Sequence, residues 1–98
     1  MTKESILHIL RREKPELAKS FYIEDVGLFG SFASERGTSK SDIDIVYEMK
    51  KGHYLGLEQK IRLEKYLRLK LNRPVDLVRL KYMNPAIRVK AEPKIVYV

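Results

Sequence analysis

The stretch GLFGSFASERGTSKSDIDI, residues Gly27 to Ile45, decides how this chain is read. A hydrophobic run stops at a Gly-Ser step, a polar loop follows, and hydrophobic sequence resumes through two aspartates one residue apart. From Asp42 to Glu48 the residues alternate. Asp42, Asp44, Val46 and Glu48 fall on one side, and Ile43, Ile45 and Tyr47 on the other. A period of two is the mark of a strand, and residues two apart share a face. The carboxylates of Asp42 and Asp44 therefore stand side by side. Two unpaired carboxylates that close repel, and one is driven toward protonation. A divalent cation removes that penalty.

Tyr22 to Phe29 reads as the strand before this step, Gly30 ends it, and Ser31 to Glu35 form a helical turn. Tyr54 to Leu71 is the longest helix, with Leu57, Ile61, Leu63, Leu67 and Leu71 available for burial. Asn72 suits the left-handed residue that ends a helix, and Pro74 blocks continuation. Val75 to Leu80 is a third strand, with Asp76 inside an apolar run.

At the N-terminus Thr2 caps a helix over Lys3 to Lys14, and Pro15 opens a second short helix, Glu16 to Ser20. Asn84-Pro85 starts a helix that runs to about Glu92, where Pro93 stops it. Lys94 to Val98 is a last strand or a docked tail. Helices on either side of a few strands give an α/β (α+β) domain around one small sheet, with strand directions open.

The chain has 98 residues, which fits one domain over 1–98 and leaves little room for a walled pocket. Any site is expected to be open or completed by a partner. The absence of cysteine excludes disulfides and thiolate metal sites and suits a reducing cytosol. The apolar runs are too short to span a bilayer, and the N-terminal stretch has no signal-peptide core. Twenty Lys and Arg against thirteen Asp and Glu give a net charge of +7, which attracts nucleotides, nucleic acid or an acidic partner.

An unpaired carboxylate in an apolar strand is costly. If the third strand lies beside the second, Asp76 joins Asp42 and Asp44 in a cluster of three. Clusters of this kind hold two metal ions about 4 Å apart for in-line phosphoryl or nucleotidyl transfer. Oxygen-only ligands suit Mg²⁺ or Mn²⁺ rather than zinc. The Gly30-Ser31 step supplies close backbone approach and a hydroxyl donor for a phosphate. Carboxylates on one side and a phosphate-binding turn on the other suit a nucleoside triphosphate.

Phe29-Gly30-Ser31, ten residues, then Asp42-Ile43-Asp44 resembles the signature of the minimal nucleotidyltransferases of the DNA polymerase beta superfamily. Val75-Asp76-Leu77-Val78 resembles that family's third-carboxylate strand. The resemblance implies a mixed sheet flanked by helices. It implies that Asp42 and Asp44 bind two Mg²⁺ ions, and that Asp76 binds the catalytic metal and helps activate the attacking hydroxyl. Gly30 and Ser31 would hold the β- and γ-phosphates of ATP. Family members of this size are often antitoxins that add AMP to a tyrosine of a HEPN-domain ribonuclease toxin. This sequence departs from the family in two places. Ala33 is followed by Ser34 and Glu35, with Arg36-Gly37 later than the usual Ala-Arg-Gly, and Glu92 is followed by Pro93.

Two other readings are kept. One is an antitoxin that silences its partner by contact alone, and the other is a nucleotidyltransferase acting on RNA ends, motivated by the basic charge. His8 and His53 lack a second ligand at metal spacing, and Tyr54, Tyr66 and Tyr82 read as packing residues.

Overall fold

A computed structural model describes every residue from Met1 to Val98. Helix α1 spans Lys3–Phe21, strand β1 Ile23–Phe29, the short helix α2 Gly30–Ala33 and strand β2 Ile43–Met49. Helix α3 covers Leu57–Leu71, strand β3 Val75–Arg79, helix α4 Pro85–Ala91 and strand β4 Val96–Tyr97. The sheet runs in the order β3-β2-β1-β4. β1 pairs antiparallel with β2 and with β4, whereas β2 and β3 are parallel. This is the expected mixed sheet, and α3 is the crossover that a parallel β2–β3 pair requires.

The core lies where the apolar stripes of α1 and α3 meet one face of the sheet. Ile6, Leu10 and Leu17 of α1, Leu28 of β1, Ile43 and Ile45 of β2, and Leu63 of α3 are wholly buried. Each such side chain contributes about 1.5–3 kcal/mol by leaving water. By alternation, Asp44, Val46 and Glu48 face the other side of β2, so core packing fixes the face on which the aspartates emerge.

Several boundaries differ from the sequence expectation. The two N-terminal helices are one: α1 passes through Pro15 without a break. Thr2 closes its N-terminus through a reciprocal capping box with Ser5, and Tyr22 ends it in a left-handed conformation (φ 57). Leu10 before the proline and Leu17 and Phe21 after it are buried in one cluster, and that burial outweighs the hydrogen bond lost at Pro15. Helix α3 starts at Leu57 rather than Tyr54, because Gly56 before it is extended (φ −70, ψ 171). Leu57 and Ile61, expected to be buried, are 78% and 49% exposed. Tyr54 and Tyr82 are also exposed, whereas Tyr66 packs edge-on against Phe21 as a packing residue should. Asn72 is left-handed at the end of α3, as expected (φ 52).

The last residues form a strand. Gly27 and Leu28 of β1 pair with Tyr97 and Val96, and Val98 donates its N–H to the Val26 carbonyl at 3.1 Å. The approach is close enough that a Cβ on Gly27 would stand 2.7 Å from Ile95 Cγ2. No helix is long and apolar enough to cross a membrane.

Candidate active site

β1 delivers the Gly-Ser step. Phe29 is its last residue and pairs with Asp44 of β2. Gly30 then turns the chain at φ +73, a conformation that only glycine adopts at no steric cost. The space beside it is taken as well, since a Cβ on Gly30 would collide with Asp44 Oδ2. Ser31 follows in the first turn of α2.

β2 delivers the aspartates. Asp42 lies immediately before the strand and is exposed, while Asp44 is its second residue and half-buried. The Ile43 N–H donates to the Pro74 carbonyl at 3.0 Å, which aligns the starts of β2 and β3. In that parallel register Asp44 and Asp76 are direct partners, so the third carboxylate stands beside the second. Asp44 is pushed above the ordinary carboxylate range, first by burial and then by the charges of Asp76 and Asp42. The three aspartates thus share one electrostatic environment.

The donor set fits a hard divalent cation, being all carboxylate oxygen. The side chains as they stand do not converge: no three His, Cys, Asp or Glu groups lie in metal-ligating geometry. The backbone register sets Asp44 beside Asp76.

The loop before Asp42 is held by Arg73. Its Nη2 donates to the Thr38 carbonyl at 3.0 Å, and its guanidinium lies 5.3 Å from the centre of the Phe32 ring. Ser41 Oγ accepts the Thr38 N–H at 3.0 Å. Arg73 therefore ties α2, the loop and the start of β3 into one support.

The nucleotidyltransferase domain family matches residues 7–98. The chain belongs to that family. Protein adenylyltransferase MntA of Thermococcus cleftensis is 33% identical over 98 residues, covering 100% of this chain and 97% of the relative. A Methanocaldococcus jannaschii protein provisionally named as a protein adenylyltransferase is 34% identical over 98 residues, 99% of this chain and 98% of the relative. Among solved structures, one provisionally described as a minimal nucleotidyltransferase superposes with a TM-score of 0.78 at 25% identity, covering 98% of this chain and 95% of that one. A chain in the crystal structure of a toxin–antitoxin pair with AMP-PNP superposes with a TM-score of 0.61 at 25% identity, covering 89% and 64%.

In this nucleotidyltransferase domain the Gly-Ser turn has a second neighbourhood, away from the aspartates. A cleft of about 400 Å³ opens between the turn and α4, lined by Gly30, Ser31, Ser34, Arg36, Lys90 and Lys94 among others. Arg36 reaches it despite its later position in the sequence. Lys90 and Lys94 were not singled out from the sequence. The available signal was their spacing of four, with Ile87 and Ala91 on the same helical face.

Proposed function

We propose that this nucleotidyltransferase transfers AMP from ATP to a tyrosine hydroxyl of a HEPN-type ribonuclease toxin and so acts as its antitoxin. The observation that carries the reading is the register of Asp44 and Asp76 on adjacent parallel strands, with Asp42 two residues away and Gly30 against Asp44. The full-length likeness to an adenylyltransferase and the fold shared with a nucleotide-bound toxin–antitoxin pair support it. Residues 1–98 act as one catalytic domain, and ATP supply places the reaction in the cytosol.

Asp42, Asp44 and Asp76 would hold Mg²⁺, or Mn²⁺ in its place, as two ions. Ions held there would supply counter-charge to the phosphates and lower the pKa of the attacking hydroxyl. Gly30 and Ser31 hold the phosphates beyond the α-position. Asp76, exposed at the sheet surface, would take up the proton of the incoming hydroxyl. The hydroxyl oxygen bonds to the α-phosphorus, the bond to the β-phosphate oxygen breaks, and pyrophosphate leaves. An open site suits a macromolecular acceptor, because the partner supplies the missing wall.

Incubation with α-labelled ATP, Mg²⁺ and the product of the neighbouring gene tests this, beside an Asp42→Ala/Asp44→Ala control. Label on the neighbour with the unmutated protein only is the expected result. Contact-only silencing is the other outcome that the control distinguishes. Under it the control variant still neutralises the partner, and no label moves.

A further inference from the structure

We propose that the cleft between the Gly30 turn and α4 is a binding site for the pyrophosphate end of the nucleoside triphosphate, with Lys90, Lys94 and Arg36 as its anion ligands. This rests on the transfer reading and deepens it by naming residues that no part of the motif contains.

The charges around Gly30 are divided. On one side its backbone lies against the carboxylate of Asp44, which sits beside Asp76. On the other side the cleft is lined by three cationic side chains and by no acidic one. A triphosphate laid across Gly30 has its α-phosphorus at the carboxylates and its β- and γ-phosphates among the cations. A chain of phosphates needs this division, since the reacting end requires metal ligands and the leaving end requires direct counter-charge.

The cations converge from distant segments. Arg36 comes from the loop after α2, Lys90 from the last turn of α4 and Lys94 from the turn after it. Lys90 and Lys94 lie four residues apart, so they share one side of the chain where it continues helically past Ala91. None of the three forms an ion pair, whereas Arg88 of the same helix is paired with Glu92 at 2.8 Å. The α4 charge facing the cleft is thus free, and the charge beside it is neutralised. Ser31 and Ser34 add hydroxyl donors on the opposite wall.

The volume suits the ligand. About 400 Å³ is larger than a diphosphate needs and open to solvent, so a pyrophosphate group can enter and leave without a lid. Pyrophosphate formed by the reaction is then a ligand of its own cleft and competes with ATP.

The test is calorimetry at physiological salt with inorganic pyrophosphate, ATP and AMP as probes, in metal-free buffer so that protein cations alone hold the phosphates. The variants are Lys90→Ala/Lys94→Ala and, separately, Arg36→Ala. Lys51→Ala/Lys65→Ala removes the same charge from exposed lysines outside the cleft. The expected result is a loss of about tenfold or more in pyrophosphate and ATP affinity in the cleft variants. AMP affinity is then unchanged, and the control pair keeps normal affinity for all three. Equal loss in the control pair would reduce the effect to bulk charge and overturn the site. So would undiminished binding in both cleft variants, or an unmutated protein that binds no pyrophosphate. Failure of the transfer reading looks different: no label reaches any partner, while pyrophosphate binding and its dependence on Lys90 and Lys94 persist.

Discussion

The carboxylate of Asp44 occupies the space where a side chain on Gly30 would begin. The Gly-Ser turn and the strand that carries Asp44 are therefore in contact, and neither can shift alone. Gly30→Ala forces a left-handed alanine, which costs about 1–2 kcal/mol, and drives Asp44 aside. The expected outcome is a melting temperature lower by several degrees, with AMP transfer reduced by about a hundredfold because the reacting groups are misplaced. Parallel melting and transfer assays check it. Transfer that survives at the unmutated rate would separate the turn from the chemistry.

Asp44 and Asp76 face each other across a parallel strand pair, and like charges in that relation are destabilising. Asp76→Asn removes one of them. In metal-free buffer it should raise stability by about 1 kcal/mol or less. Mg²⁺ should raise the melting temperature of the unmutated protein, and the variant should lose that rise. Melting curves with and without Mg²⁺ decide the matter. A metal-induced rise that persists in the variant would place the ion elsewhere.

A buried acid lies on the far side of the core. Glu13 of α1 accepts a hydrogen bond from the Tyr66 hydroxyl and pairs with Arg12 at 3.0 Å. The Tyr66 and then the Arg12 hydrogen bonds hold its carboxyl below the usual range, against the opposing effect of burial. Burial, and then the bond to Glu13, push the Tyr66 phenol up to about 12. The two signs give two limbs. Glu13, depressed in the folded state, stabilises above its unfolded pKa, and that stability is lost as pH falls below about 4.3. Tyr66, raised in the folded state, stabilises below its unfolded pKa, and that stability is lost as pH rises from about 10. Glu13→Gln should flatten the acid limb. Tyr66→Phe should flatten the alkaline limb and cost about 1–3 kcal/mol at neutral pH. Urea midpoints across the pH range read both limbs.

The candidate face was legible because aspartates inside apolar runs break the pattern, and their combination with the Gly-Ser step is far more specific than any one of them. Asp42, Asp44 and Asp76 each announced themselves locally, and strand pairing merely brought them together. Lys90, Lys94, Arg73 and Glu13 did not. A lysine on a short helix and an arginine after a helix end look like ordinary surface, and a glutamate on α1 looks solvated until Tyr66 is seen against it. Their roles depend on contacts across many tens of residues, which local periodicity does not encode. Leu57 and Ile61 show the converse: they have the right spacing for burial, but no element covers them.

Pro15 is where local rule and structure part most sharply. A proline inside a helix has no N–H for the carbonyl four residues back, here Arg11, and its ring crowds that carbonyl. The helix continues because Leu10, Leu17 and Phe21 are buried together on either side of it. The local penalty is then present in the folded protein and recoverable. Pro15→Ala should stabilise by about 1–2 kcal/mol, which is less than the full helix-interior penalty, because alanine also frees the unfolded chain that proline stiffens. The urea midpoint should rise with an unchanged slope. A lower midpoint would mean that stiffening of the unfolded chain exceeds the helix penalty, and that α1 bends at Pro15 in a way its packing requires.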